Sequence, residues 1–388
     1  MGLVKTDWME AEERGWSGVD KVVCSGCVDD PALKRVVRDA ARSGRCDYCG
    51  NRRKVAAVEA LQEAVYDAVW TYYNEPTDAG VPWDRGFVID PIDIEEVFYG
   101  LGFDGHPDLI ADIVDADMGN GWVAAADGHW ASAHDHEVML GSWASFVEVI
   151  KHKTRFHFGS VGEVSTAGAQ DVEPRHMLGV LGNRLRPYVR QVPKGTRVFR
   201  ARMKEKGDAW SACAKELGAP PFDKTRAGRM NPAGIPYLYV AFDTKTALRE
   251  IGEPTAKTEA TFMAAFELTE PLLVIDLTRL PPPPSVFDLE NKDEREKLLF
   301  ARGFVDAISR PVIKNGQEHV EYVPSQVVCE YLAQVFKPRG KATLGGLVFP
   351  SSVREGGRNL VVFPSERGLD QSFHGVEYRH ARRVRSRR

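Results

Sequence analysis

The sequence predicts an α+β protein in several parts: a cysteine-bearing, turn-rich segment, a helical region, and a strand-rich region of mixed α/β character. Three observations carry that prediction. Four of the six cysteines fall in two C-x2-C pairs before residue 50. Apolar residues then recur at three- and four-residue spacing to about residue 160, the period of amphipathic helices. Beyond about residue 190 the pattern changes to short apolar or alternating runs bounded by turn residues, as strands require. At 388 residues the chain is long enough for two or three cores, and 43% hydrophobic with 27% charged residues is ordinary for a soluble globular protein.

The first segment, residues 1–50, holds Cys24-x2-Cys27 and Cys46-x2-Cys49. A C-x2-C turn sets two thiolates on one side of a metal, and two such turns close the tetrahedron of a structural zinc site. Cys24, Cys27, Cys46 and Cys49 are therefore the predicted zinc ligands, with Gly26 and Gly50 giving the turns their backbone freedom. Four protein ligands leave no position for water, so this zinc would fold the segment and not catalyse. Asp29, Asp30, Asp39 and Asp47 dilute the nearby basic residues and weaken a nucleic-acid reading of the ribbon. Clustered thiols suit a reducing, cytoplasmic compartment better than a disulfide scaffold, and Cys213 and Cys329, without such partners, read as core or near-surface thiols. The N-terminus has no apolar signal-peptide core, and its Met1-Gly2 with Thr6 is the kind of short myristoylation match that chance supplies.

Residues 51–190 read as a helical domain and linker. Val58, Leu61, Val65, Val69 and Tyr72 share one face of a long helix. Asp93 to Phe98 opens a second after the turn at Pro91, Leu109, Ile110, Ile113 and Val114 mark a third, and Trp143, Phe146, Val147 and Ile150 a fourth. Lys151, His152 and Lys153 suit the negative end of that last helix. His129, His134 and His136, near Asp127, Asp135 and Glu137, read as a polar loop in preference to a second metal site.

In residues 191–370, strands are expected at Thr196–Arg202, Tyr237–Phe242, Phe262–Leu268, Leu272–Leu277 and Leu360–Phe363, with Pro281–Pro284 as a stiff surface connection. Residues 371–388 form a basic tail whose last ten residues hold six arginines and no acid; such tails are mostly solvated ends, and some touch nucleic acid or an acidic partner. A net charge of −4 argues against nucleic-acid binding by the whole chain, and no apolar run is long enough to cross a membrane. Neither a Rossmann fingerprint nor a P-loop is present, which argues against dehydrogenase chemistry.

Polar residues inside apolar strand patterns need a reason, because burying them costs energy. Arg200 lies in Val198-Phe199-Arg200. The turn-rich stretch Ala227–Pro236, with Arg229 and Asn231, leads to the strand of Tyr239. Asp243 and Thr244 then offer N-caps for a helix through Ala247 and Leu248, in which Glu250 falls. An arginine beside glycine-rich backbone suits a pyrophosphate, an aromatic ring can stack on a base or nicotinamide, and a carboxylate can hold ribose hydroxyls and stabilise positive charge on a sugar. The plain alternatives are a surface arginine, a core tyrosine and a solvated helix glutamate. Arg202, two residues along the same strand face, is as good a candidate as Arg200 by spacing.

The pieces Val198-Phe199-Arg200, Gly228–Pro236, Leu238-Tyr239, Thr246–Glu250, Tyr322-Val323-Pro324-Ser325, Gly346–Ser352 and Leu360–Phe363 together resemble the RES domain over roughly residues 191–365. Members of that family are toxin components that degrade NAD⁺ by hydrolysis or phosphorolysis, and some ADP-ribosylate proteins. Their fold is similar to ADP-ribosyltransferases. The resemblance implies NAD⁺ as substrate, with Arg200 gripping the pyrophosphate, Tyr239 against the nicotinamide side, Glu250 orienting the ribose and favouring departure of nicotinamide, and Ser325 bonding the ligand or Arg200. Arg202, Arg229 and Asn231 follow as substrate-binding candidates. Met230 stands where an aromatic is common in the family. Cys24 to Cys49, the helix after them, and Trp143 through Phe156 resemble the HEPN/RES N-terminal domain. HEPN nucleases carry arginine, four to six residues, then histidine on a helix. Here Arg155 and His157 are one residue apart, and Arg367 and His374 have the right spacing only in the tail. This half therefore reads as a regulatory or interaction module. The expectation is an NAD⁺-consuming effector restrained by an antitoxin, a regulatory protein or self-association. Protein ADP-ribosyl transfer, a nucleic-acid-binding or RNA-cleaving HEPN-type module, and a degenerate nucleotide-binding RES domain are the alternatives.

Overall fold

The computed structural model describes residues 9, 11, 14–119, 121–160, 171–310, 312, 316–340, 342–364 and 375–384. They fall into two compact units, one of Met1–Glu137 with Pro282–Lys297, the other of Val138–Pro281 with Leu298–Arg388.

In the first unit, β1 (Val22–Val23) precedes α1 (Pro31–Asp39), β2 (Arg42–Arg45) and β3 (Arg52–Ala57), and the strands pair antiparallel in the order β1-β3-β2. Asp30 starts α1 by accepting from the backbone N–H of Ala32 and Leu33, which frees the helix of two unpaired donors. The long helix expected from the apolar stripe is α2 (Val58–Tyr72), and all five stripe residues are buried. After β4 (Tyr73–Asn74), α3 (Ile94–Leu101) starts where Asp93 accepts from the Glu96 N–H and stops at Gly102, whose φ of 71° suits glycine. Then come α4 (Pro107–Asp115) and β5 (Val123–Ala124), the latter paired with β4. Leu33, Leu61, Tyr66, Val69, Phe98, Ile113 and Trp122 form one apolar core here.

In chain order there follow α5 (Asp135–Glu148), continued by a π-helical turn at Val149–Lys153, then α6 (Pro174–Leu185), β6 (Val189–Val192), β7 (Arg197–Glu205), α7 (Ala214–Leu217), β8 (Leu238–Ala241), α8 (Thr244–Glu250), β9 (Thr258–Leu268), β10 (Leu272–Asp276), α9 (Lys292–Ser309), α10 (Glu318–Glu321), α11 (Val323–Gln334), β11 (Gly346–Pro350), β12 (Arg358–Val362) and β13 (Val376–Val384). The strands make one sheet in the order β13-β9-β7-β8-β12-β11-β10-β6, antiparallel throughout except for the parallel pair β10–β11. Alternation along β12 divides the core: Val361 packs with Leu181, Phe304 and Leu332, while Leu360 and Val362 pack with Val198, Leu238, Val240 and Phe266 on the other face.

The chain is thus α+β, with a helix-rich first unit and a mixed sheet in the second, and the five expected strands are all present. The stretch read as a free basic tail differs from that reading, since residues 376–384 are the edge strand β13 along β9. Val376, Tyr378 and Ala381 pack against the sheet, and the exposed Arg379, Arg382 and Arg383 give the strand a charged edge, which guards an open edge against chance pairing.

Candidate functional site

Strands β7 and β8 pair at a single register position, Phe199 opposite Ala241. Beside that contact lies a cavity of about 330 Å³, lined by Phe199, Arg200 and Ala201 of β7, Tyr239, Val240 and Ala241 of β8, Ala247 and Glu250 of α8, Ile251, Arg229, Phe349 and Asn359. Three of the four expected catalytic residues, Arg200, Tyr239 and Glu250, therefore share one cavity.

Arg200 donates from Nη1 to the Gly218 carbonyl at 2.6 Å. Burial and the nearby Arg202 pull its pKa down to about 10, so it remains a cation at neutral pH. Among the described residues no carboxylate pairs with it. Arg202 is placed differently. Its guanidinium lies 4.6 Å from the Trp210 ring, donates to the Glu216 carbonyl and sits 3.5 Å from the Glu216 carboxylate, and it does not line the cavity.

The Tyr239 hydroxyl is engaged on both sides. It donates to Asn231 Oδ1 at 2.8 Å and accepts from the Met230 N–H at 3.0 Å, and burial pushes its phenol well above the ordinary value. Its ring is what the cavity sees. Asn231, 3% exposed, spends Nδ2 on the carbonyls of Arg226, Pro232 and Ile235, so it organises the loop and has no donor left for a ligand. Gly228 is required by close approach, because a Cβ there would come within 2.6 Å of Asn231 Oδ1 and 3.0 Å of the Tyr239 hydroxyl.

Ser325 is buried in the first turn of α11 and does not line this cavity. Its Oγ donates to the Arg229 carbonyl at 2.5 Å, while Gln326 Nε2 donates to the carbonyls of Gly228 and Asn231. The Val-Pro-Ser turn thus clamps the loop that carries Arg229 and braces Tyr239. Arg229 donates from Nη1 to the carbonyls of Ile308 and Arg310 at the negative end of α9. It lines both the small cavity and a cleft of about 1020 Å³ shared with Trp143, Tyr322 and Ser325.

Glu250 is the last residue of α8. The helix starts at Asp243, which accepts from the Thr246 N–H at 2.9 Å and from its hydroxyl at 2.6 Å. Glu250 Oε1 accepts from Ser351 Oγ at 2.7 Å and from Asn359 Nδ2 at 2.5 Å. Sequence reasoning missed both as site residues. A signal was present for Asn359, a polar residue opening the apolar run Leu360–Phe363; Ser351 lies in a loop with no such contrast.

The four clustered cysteines do meet. Cys24 lies 3.8 Å from Cys27 and 3.6 Å from Cys49, Cys27 lies 3.8 Å from Cys46, and all four sulfurs are within 4.8 Å of one another. A zinc tetrahedron with Zn–S of about 2.3 Å has edges of about 3.8 Å, so these sulfurs fit it. Burial pushes the thiols of Cys24 and Cys27 up, and the Asn51 backbone N–H pulls Cys49 down to about 6. Four sulfurs this close shed all their protons only against a cation. No other such cluster of metal-ligating side chains occurs among the described residues. His136 instead sits with Nδ1 2.6 Å from the Glu296 carboxylate, and its ring stacks on His134. Arg155 and His157 follow the π-helical turn, and Arg367 and His374 lie outside the described residues. No helix among the described residues is long and apolar enough to cross a membrane.

Residues 39–164 match the family model of HEPN/RES N-terminal domain 1, and residues 197–381 match that of the RES domain. No curated protein matches the chain.

Proposed function

From the premise that the chain is a RES-domain protein with a HEPN/RES N-terminal domain, we propose that its second unit cleaves the nicotinamide–ribose bond of NAD⁺ by hydrolysis or phosphorolysis. The observation that carries this reading is the presence of an unpaired cation and a held carboxylate on the wall of one cavity. Arg200 is a cation with no carboxylate partner among the described residues, and Glu250 is a carboxylate held by two donors. An unpaired guanidinium favours a phosphate, and a fixed carboxylate favours a cationic sugar carbon. At about 330 Å³ the cavity is at the small end of the roughly 300–1,000 Å³ usual for such sites, which suits the nicotinamide riboside half and leaves the adenosine outside.

In this reading the Tyr239 ring and the Phe199 and Phe349 side chains wall the nicotinamide ring, and Arg200 holds the pyrophosphate next to it. The C1′–N bond breaks with its electron pair going to the pyridinium nitrogen, which becomes neutral. Positive charge develops on the ribose, where Glu250 stabilises it. Water or phosphate then bonds to C1′, and water loses its proton to solvent. The four cysteines hold a structural zinc. Unrestrained cleavage would drain the cell of NAD⁺, so the activity belongs in a toxin–antitoxin or antiphage setting in the cytoplasm, with an antitoxin or regulatory partner.

Incubating the purified protein with NAD⁺, with and without phosphate, and following nicotinamide by chromatography tests this. Release is expected, with ADP-ribose or its 1-phosphate as co-product. Glu250→Gln should lower it by at least about a hundredfold at an unchanged thermal midpoint. No release in any condition, candidate activating partners included, would remove the proposal, and full activity of Glu250→Gln would move the catalytic role elsewhere.

A further inference from the structure

Glu250 faces a difficulty that its own helix does not solve. It ends a seven-residue helix and its side chain is exposed, so its rotamers are not fixed by packing. A carboxylate that is to meet charge developing on one sugar carbon must be held in place before the reaction.

We infer that Asn359 and Ser351 are positioning residues for the Glu250 carboxylate, an inference that rests on the NAD⁺-cleaving reading above. Both donate to the same oxygen, Oε1, Ser351 from just after β11 and Asn359 from β12. Two donors on one oxygen fix the plane of the carboxylate. Among the described residues no donor reaches Oε2, so that oxygen is left for the ligand. Asn359 is 7% exposed, lines the cavity, and sits on β12 opposite Ala241 of β8. Its amide must present the NH₂ group to the carboxylate, because the amide oxygen would be repelled. Ser351 is anchored as well. Arg354, three residues on, donates from Nη1 to Asp243 Oδ2 at 3.1 Å and to Thr246 Oγ1 at 2.7 Å. The Ser351–Arg358 segment therefore ties down both ends of α8, its first turn through Arg354 and its last residue through Ser351.

The test compares kcat and KM for nicotinamide release in Ser351→Ala, Ser351→Thr, Asn359→Ala and the Ser351→Ala/Asn359→Ala double variant. Each alanine variant should lower kcat about tenfold, and the double variant about a hundredfold or more, with KM within about threefold. Ser351→Thr, which keeps the hydroxyl, should restore most of the rate. A merely structural role would lower the thermal midpoint and leave kcat per folded molecule and the threonine rescue without effect. Unchanged kcat in both single variants, or a rise in KM alone, overturns the inference. If Asn359→Ala does not fold, the two Ser351 variants decide. If the wild type releases no nicotinamide, the cleavage reading fails by itself, and the contact is decided by NMR. The Asn359 side-chain NH₂ signals should then move in Glu250→Ala, and signals that stay in place overturn the inference.

Discussion

Arg200 and Arg202 stand two residues apart on one face of β7, and their surroundings separate them. Arg202 is occupied by the Trp210 ring and by Glu216, whereas Arg200 has a single carbonyl partner and a cavity before it. On the proposed reading only Arg200 meets the pyrophosphate. A hydrogen bond to a charged group is worth about 1.5–3 kcal/mol, so Arg200→Ala should raise KM for NAD⁺ by at least about tenfold, and Arg202→Ala by no more than about threefold. Arg200→Lys should recover only part of the loss, because a point charge cannot replace a planar fork. The sign of the pH dependence follows from the same residue. With its pKa pulled to about 10, Arg200 is cationic at and below neutral pH, so KM should be flat through the neutral range and rise as pH climbs toward 10. Equal losses in the two alanine variants, measured by nicotinamide release, would remove the distinction between these arginines.

At the scale of elements, α8 illustrates how a short helix holds a functional side chain. Seven residues are too few to be stable alone, so its ends must be secured by other means. Asp243→Ala removes the N-cap and the Arg354 contact together, and should cost about 1 kcal/mol in denaturant unfolding. Burial opposes the charge on Asp243, but hydrogen bonds from Thr246 and the nearby Arg354 outweigh it and hold the carboxyl below its ordinary value. A depressed carboxyl contributes stability above its unfolded pKa of about 3.9 and loses it as pH falls through the folded one. The difference between wild type and Asp243→Ala should therefore be full at neutral pH and shrink in acid; a gap independent of pH would contradict the cap. Legibility in the sequence follows the same physics. Helices α2, α3 and α4 were readable because each displays a full apolar period, to which α3 adds a start signal at Asp93. Helix α9 was not, since it opens on Lys292-Asp293-Glu294-Arg295-Glu296-Lys297 and shows its buried Leu298, Phe300, Phe304 and Ile308 only afterwards. Strand β13 was hidden by its arginines and by the irregularity between Tyr378 and His380 that breaks its alternation. Arg200, Tyr239 and Glu250 stood out as polar interruptions or as part of a familiar series of motifs. Ser351 and Asn359 reach Glu250 only because β12 pairs with β8, a contact between segments about a hundred residues apart that no local pattern announces.

For the molecule as a whole, the cysteine cluster and the cavity belong to different units with separate apolar cores. Cys24, Cys27 and Cys46 are packed into the core of the first unit with Val23, Leu33 and Val58, so a metal held there is part of that core and not an appendage. Structural zinc in small folded modules is worth roughly 10 kcal/mol or more at neutral pH, far beyond the net stability of a domain. Its removal should therefore unfold the first unit and leave the second to melt on its own core. Freshly purified protein should carry about one equivalent of zinc, and less than about half an equivalent by elemental analysis would contradict the assignment. Cys27→Ser, which removes one of the four sulfurs, should lose the metal and shift only one of two calorimetric transitions. A single transition that moves as a whole would show the two cores to be one cooperative system. Retention of nicotinamide release by Cys27→Ser, per molecule with a folded second unit, is the expected functional counterpart, because every residue of the proposed NAD⁺ site lies in that unit.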